Sequence, residues 1–352
     1  MRFPALGIKA KGSVTIEDVI EQMSGQYSVE DQDLVRRAHI FSARAHHGQL
    51  RKSGEPYVVH PLAVAMILTE QRLDATSIAV GLLHDVLEDT QADPERVQKE
   101  FGDEVLSLVE GVTQISKISF TTRELEQAEN FRKLLLATVE DIRVLFVKLA
   151  DRFHNMRTLT YLSTDAQLHN AHETKEIYAP LAERLGMGRL QVELEDLALE
   201  YSEPDVYREL VEQVESQPRV RDAFISRIRA RIQAEISSQD IEAKVEHRVK
   251  GYASLYKKLS ATARELDQIY DVVAFRIITD NVKNCYAALG LVHGLWRPVP
   301  GRFKDFIAMP KSNMYQSLHT TVIDEGQPFE LQIRTEQMHQ VCLLYTSDAA
   351  DE

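Results

Sequence analysis

Cysteine is almost missing from this chain. There are two in 352 residues, Cys285 and Cys342, far apart and in no metal-ligand spacing. That count excludes a disulfide framework, the spacing excludes a thiolate-built structural zinc site, and a reducing compartment fits both. Long apolar runs are missing too: no stretch approaches the ~18 residues that cross a bilayer as a helix. The opening residues 1–12 carry charges and no apolar core of a signal peptide. Basic charge is in deficit, with 41 Lys and Arg against 54 Asp and Glu and a formal net charge of −13. Such a balance favours solubility and argues against wholesale coating of nucleic acid, while leaving room for local basic sites. The expectation is a cytoplasmic protein with neither a membrane nor DNA as partner.

What is present is an ordinary globular composition, 44% hydrophobic and 27% charged, at a length that suits about two domains. From residue 15 to about 200, apolar residues recur at helical spacing, as in Leu34, Ala38 and Phe41, or Ile78, Leu82, Leu83 and Val86. Breakers fall between these runs, and Ser53-Gly54-Glu55-Pro56 reads as a turn that delivers a new helix near His60-Pro61. Two helices around Gly186-Met187-Gly188, a junction at Ser202-Glu203-Pro204 and one long charged helix over about 205–237 follow. After that the period changes from helix to strand: 241–249, 272–278, 320–323 and 329–333 read as strands, with helical stretches near 252–267 and 281–295. The fold class is therefore α+β: an all-α domain, then a mixed α/β domain, joined by helices. The divisions expected are 1–24, 25–172, 173–237, 238–341 and 342–352, the last a tail that continues no pattern.

The helical half carries one charged constellation. In the run His84-Asp85-Val86-Leu87-Glu88-Asp89, a continuous helix puts His84 with Glu88 and Asp85 with Asp89 on one face, beside apolar Leu82, Leu83, Val86 and Leu87. Burying such groups costs desolvation energy unless something pairs with them, and a divalent cation does so economically. Imidazole with carboxylate suits Mn²⁺, Fe²⁺ or Zn²⁺, and acids not used as ligands could act on water. The plainer alternative is a solvated acidic helix end. A His 24 positions earlier, His60, and Asp151, 66 positions later, favour the metal. Lys148, Asp151, Asn155 and Thr158 share a second helical face that looks like a nucleotide-contacting wall.

These segments resemble the hydrolase domain of the RelA/SpoT homologue family, in its long bifunctional form. They are Arg51-Lys52-Ser53-Gly54-Glu55-Pro56-Tyr57 with His60-Pro61, His84-Asp85-x-x-Glu88-Asp89, and Lys148 to Thr158. The resemblance implies an HD-type domain. Mn²⁺ would be held by His60, His84, Asp85 and Asp151, with Glu88 and Asp89 serving hydrolysis. Nucleotide contacts would come from Arg51, Lys52, Asn155 and Thr158. The implied reaction removes the 3′-pyrophosphate of ppGpp or pppGpp.

The second half carries a different pattern. Asp271 falls on a strand with Val273, Phe275 and Ile277. In a later strand Glu330, Gln332 and Arg334 alternate with Phe329, Leu331 and Ile333. Two carboxylates able to meet over a sheet are how phosphoryl-transfer enzymes hold Mg²⁺; taken singly, each is as readily an edge-strand surface residue. Around them cluster Arg248, Lys250, Lys257 and Lys258, then Arg302-Phe303-Lys304-Asp305, then Lys311, Asn313, Tyr315, Gln316 and His319. Phosphates need fixed cations and bases need aromatic surfaces.

This half resembles the same family's nucleotidyltransferase-like synthetase domain. The match runs through Arg248-x-Lys250, Ser254, Lys258, Asp271-x-x-Ala274-x-Arg276, Arg302 to Asp305, Asn313-x-Tyr315-Gln316-Ser317-Leu318-His319 and Glu330-x-Gln332-Ile333-Arg334. It implies transfer of pyrophosphate from ATP to the 3′-hydroxyl of GDP or GTP. Asp271 and Glu330 would be the Mg²⁺ and base positions. Arg248, Lys250 and Arg276 match contacts to ATP, with Ser254 and Lys258 in the same nucleotide-binding set. Tyr315 would stack on the acceptor base, and Lys304, Asn313 and His319 would line the site. The Arg-x-Lys-Asp loop is the form typical of bifunctional members. His247 and Val249 depart from the family's Gly and Pro, which leaves a hydrolase-only enzyme as the alternative. A non-catalytic nucleotide- or ribosome-binding regulator is a further alternative, against which the intact ligand residues argue. The resemblance also implies ribosome contact only through C-terminal domains outside this chain. The adjacency of two opposed chemistries, which would waste ATP if run together, predicts their coupling through the helices at about 173–237.

Overall fold

The computed structural model describes residues 14–116, 141–262, 269, 272–311 and 315–339. Asp271, Asn313 and the tail 342–352 thus lie outside the described residues. The chain divides into two compact units, Met1–Tyr178 and Ala179–Glu352.

The first unit is helical: α1 (Ile16–Met23), α2 (Val29–Ala45), α3 (Val59–Glu70), α4 (Ala75–Leu83), α5 (Val86–Asp89), α6 (Pro94–Ser116), α7 (Arg143–Arg157) and α8 (Thr164–Glu173), then a π-helical turn, Thr174–Tyr178. Their starts are written locally. Thr15 with Asp18 and Ser28 with Asp31 form capping boxes for α1 and α2, and Asp74 caps α4 through Ser77 N–H. Gly102, at φ 87°, kinks α6.

Helix α3 is apolar on every side and buried from His60 to Thr69, as expected of a helix enclosed by others. It packs on α1, α4 and α7. Gly81 lets α4 approach it: a Cβ there would lie 2.5 Å from Leu68 Cδ1. The close crossing matters for function, because His60 opens α3 and His84 closes α4.

The expected continuous helix through His84 and Asp89 is interrupted. Helix α4 stops at Leu83, and Asp85 becomes the N-cap of the short α5, its carbonyl accepting the N–H groups of Glu88 and Asp89 at 3.2 and 2.8 Å. The break turns His84 and Asp85 inward while Glu88 and Asp89 stay exposed. The four do not share one face of one helix.

The second unit begins with α9 (Ala179–Arg184), α10 (Gly188–Ser202), α11 (Pro204–Ser216) and α12 (Asp222–Ser237). The single helix expected over 205–237 is two, parted by a 3₁₀ turn, Pro218–Val220. Proline supplies no N–H and blocks the preceding turn, so α11 ends before it.

The remaining elements are β1 (Ala243–Val249), α13 (Tyr252–Thr262), β2 (Val273–Thr279), α14 (Val282–Leu295), β3 (Arg297–Pro298), β4 (Lys304–Asp305), β5 (Leu318–Asp324) and β6 (Gln327–Thr335). The four longer strands match the sequence expectation; the two-residue strands β3 and β4 carry no periodicity to read. Sheet order is β1-β2-β6-β5-β3, with β4 also on β5. Among the described strands only β2 and β6 run parallel; β1–β2 and β5–β6 are antiparallel. Glu325 and Gly326, both at positive φ, close the β5–β6 hairpin, the conformation a type I′ turn demands.

One sheet face is apolar. Phe329 there meets Phe224 of α12, Phe275 of β2 and Trp296 at ring distances of 5.4–5.8 Å. Truncating such a buried aromatic costs ~3–5 kcal/mol. The other face is polar, set by register: Glu246 opposite Arg276, Arg276 beside Gln332, His319 opposite Gln332, and Thr321 opposite Glu330. Among the described residues no helix is long and apolar enough to cross a membrane.

Candidate active sites

Three separate segments of the first unit send four donor groups to one point. His60 Nε2 lies 3.2 Å from His84 Nε2, 3.3 Å from Asp151 Oδ1 and 3.5 Å from Asp85 Oδ2. His84 Nε2 lies 3.1 Å from Asp85 Oδ1 and 3.9 Å from Asp151 Oδ1. His60, His84 and Asp151 are buried, and their ligand atoms fall within 4.8 Å of one another, a group that could hold a metal ion. The structure thus brings together all four residues expected as ligands.

Second contacts fix the tautomers. His84 Nδ1 faces the carbonyl of Gly81 at 2.9 Å, so it carries a hydrogen and Nε2 is the nitrogen turned to the centre. His60 Nδ1 faces His154 Nδ1 at 2.8 Å. Donating to His154 leaves His60 Nε2 as a lone pair toward the centre. Burial drives His154 well below the ordinary imidazole range, which keeps it a neutral acceptor.

The charges are unevenly held. Burial works against ionised Asp151, yet Lys148 Nζ at 2.7 Å and the two imidazoles hold its carboxyl well below the usual range. Asp85 is lowered as well: its burial is outweighed by His84. Burial lowers His60, while at His84 burial is overcome by Asp85 and Asp151, and its pKa is pushed up to about 9. Two anionic oxygens therefore compete for one imidazolium proton. A divalent cation among these donors would displace that proton, neutralise both carboxylates and use both Nε2 lone pairs. The N/O donor set, with no thiolate, suits Mn²⁺ or a similar borderline ion.

The cluster forms the floor of a cleft of about 480 Å³, lined also by Arg51, Lys52, Glu88, Asp89, Asn155 and Thr158. Of the ten residues expected at this site, only His84 lies behind the lining. Arg51 Nη2 donates to Asn155 Oδ1 at 3.0 Å, and the Asn155 amide donates to Asp151. That chain joins the nucleotide wall to the ligand cluster.

Two contributors had no assigned role in the sequence. Tyr57 Oη sits 2.8 Å from Asp85 Oδ2 and 2.5 Å from Asp89 Oδ2, and its ring stacks on His46 at 4.4 Å. It ties an expected catalytic acid to an expected ligand. His154 orients His60. The signal for His154 was present in the helical spacing, since it lies three residues after Asp151. For Tyr57, in a turn, no periodicity was available. Lys148, expected as part of the wall, lines the cleft and also pairs with Asp151.

In the second unit the polar sheet face gathers Arg248, Arg276, Glu330 and His319 by register. His319 Nδ1 lies 3.2 Å from Glu330 Oε1, and Gln332 donates to the same oxygen at 3.0 Å. His319 Nε2 meets Tyr315 Oη at 2.8 Å. The Tyr315 ring is buried against Phe306 and His319. Lys304 stands on β4 across from His319, and Lys311 Nζ is 5.2 Å from the Phe306 ring. Lys250 is buried, its N–H bonded to Val272, and Ser254 and Lys258 lie on α13. By strand parity His247 and Val249 point away from Arg248, so these two residues leave the polar face unchanged in charge.

Comparison with known proteins agrees with this division. Residues 38–188 match the family model described as "HD domain", and 247–344 match "Region found in RelA / SpoT proteins". A GTP pyrophosphokinase of Myxococcus xanthus is 50% identical over 88% of this chain and 42% of its own length. A guanosine-3′,5′-bis(diphosphate) 3′-pyrophosphohydrolase of Vibrio cholerae is 45% identical over 92% of this chain and 46% of its own. A solved metazoan SpoT orthologue, described as hydrolysing ppGpp, is 26% identical over 49% of this chain and 96% of its own, with a TM-score of 0.38. A helical HD domain followed by a RelA/SpoT region on a mixed sheet defines the class of protein. The chain belongs to the RelA/SpoT homologue family, and spans less than half the length of the curated relatives named here.

Proposed function

We propose that the chain is a bifunctional cytoplasmic alarmone enzyme of the stringent response. The first unit hydrolyses ppGpp or pppGpp to GDP or GTP and pyrophosphate. The second transfers pyrophosphate from ATP to the 3′-hydroxyl of GDP or GTP.

The observation that carries this reading is the convergence of His60, His84, Asp85 and Asp151 beneath a cleft walled by Arg51, Lys52, Asn155 and Thr158. A Mn²⁺ ion held by those four would supply positive charge against a phosphate oxygen. The cleft's own residues do the rest. Arg51 and Lys52 provide fixed cations for a pyrophosphate, and the buried helices exclude bulk water from the floor, which strengthens every charge interaction there. Asp89, with Tyr57 Oη close by, and Glu88 stand exposed at the same cleft, placed to accept a proton from water.

At the sheet site, Glu330 is positioned by His319 and Gln332 to take the proton of the acceptor hydroxyl. Glu330 with Asp271 would hold Mg²⁺, which supplies charge neutralisation to the phosphates in transfer. Arg248, Lys250 and Arg276 address ATP, and Tyr315 the guanine.

The test is direct. Labelled ppGpp with Mn²⁺ should yield GDP and pyrophosphate, and ATP with GDP and Mg²⁺ should yield AMP and ppGpp. Hydrolysis without AMP release would reduce the reading to a hydrolase; neither product would overturn it.

A further inference from the structure

Helix α13 follows directly from the Arg248–Lys250 end of β1 and carries Ser254 and Lys258. Four of the proposed nucleotide contacts therefore depend on how its first turn is held. That turn has no cap of its own. The residue before it, Gly251, accepts Leu255 N–H through its carbonyl at 3.0 Å but has no side chain to offer the free N–H groups. Nor is there room for one: a Cβ at Gly251 would lie 2.5 Å from Val192 Cγ1 and 3.2 Å from Asp196 Oδ1, both on α10.

The missing cap comes from α10 itself. Asp196 Oδ1 accepts the Ala253 N–H at 2.8 Å, and the Tyr252 N–H also bonds to this carboxylate. No lysine or arginine among the described residues pairs with Asp196. Burial pushes its carboxyl up to about 7 despite those two amide bonds, with Glu195 and Glu193 adding to the rise. A neutral residue there would avoid that cost, so the carboxylate is not explained by its own stability. Its compensation is the N-terminal end of α13, where N–H groups and helix dipole both favour negative charge. Two further contacts fasten the same side of α13: Tyr252 against Tyr207 of α11 at 5.4 Å, and Tyr256 Oη donating to Glu203 at 2.9 Å. Ser254 and Lys258, two and six residues after Tyr252, project from the opposite side of the helix.

We propose that Asp196 is a positioning residue for the pyrophosphate donor: it caps α13 in place of a Gly251 side chain and so fixes Lys250, Ser254 and Lys258 for ATP. The inference rests on the reading of those residues as ATP contacts. The test compares Asp196→Ala and Asp196→Asn with the unaltered chain by titration with a non-hydrolysable ATP analogue, with GDP, and by ppGpp hydrolysis. Asp196→Ala should weaken the ATP analogue about tenfold, the effect of a lost cap, with GDP affinity and hydrolysis unchanged. Asp196→Asn, which keeps an acceptor oxygen, should recover most of the loss. Equal weakening of ATP analogue and GDP, or no weakening, overturns the role. Failure of the unaltered chain to bind the analogue would instead overturn the underlying assignment of the sheet site, and the proposal with it.

Discussion

The two candidate sites are built on opposite plans. In the helical unit, four donors come from the start of α3, the break between α4 and α5, and the middle of α7, and Gly81 gives α4 a close approach to α3. Their protonation is strongly mutual: each shift has a neighbour as a cause. On the sheet, the functional side chains sit at alternate positions of paired strands, and register alone sets their neighbours. A site of convergent helices is therefore sensitive at every member, whereas a sheet-borne site holds its geometry when one side chain is replaced and loses only that group's chemistry.

That contrast can be broken by experiment. The largest effects should fall on the chemistry and be separable. His84→Ala should lower ppGpp hydrolysis by ~100-fold or more and release bound Mn²⁺, while pyrophosphate transfer persists. Glu330→Gln should lower transfer by ~10²–10⁴-fold, as loss of a general base does, with hydrolysis intact. Rates of both reactions for both variants check this, and loss of both activities in either variant would deny that the sites are independent chemistries.

A smaller effect sharpens the claim of mutual dependence. His154→Ala touches no expected ligand atom other than through His60, yet should weaken Mn²⁺ about 10–100-fold, read by metal titration. The sheet analogue, Gln332→Ala beside Glu330, should change Mg²⁺ dependence by far less.

The smallest effect concerns stability. The folded chain keeps the Asp196 proton up to about 7, while the unfolded chain releases it near the ordinary 3.8. The folded state thus binds more protons in that interval, and this group's contribution to stability falls as pH rises through it. Asp196→Asn removes the dependence. Its urea midpoint should gain on that of the unaltered chain from about pH 4 to about pH 7 and then level off. A parallel pair of curves would refute the shift.

Much of this was legible before any coordinates. The helical half, the change of period near residue 240, the alternation of Glu330, Gln332 and Arg334, and the residues of both sites follow from spacing and from resemblance. Where the reading went astray, the cause was local geometry that periodicity does not encode. The run 84–89 has helical spacing throughout, yet the chain breaks at Asp85. Residues 205–237 are charged and helix-prone on both sides of Pro218, and the proline decides. Tyr57 lies in a turn, and the partners of a turn residue come from elsewhere in the fold.

The sequence by itself determined which residue types could bind a metal and phosphates, and how strand and helix periods distribute them, because those are one-dimensional properties of spacing and chemistry. Tertiary structure alone decided that His60, His84, Asp85 and Asp151 share a centre, that His154 and Gly81 select their tautomers, and that Asp196 caps a helix more than fifty residues away. Those facts depend on which buried faces close on one another, and burial is what makes an unpaired charge costly enough to demand a partner.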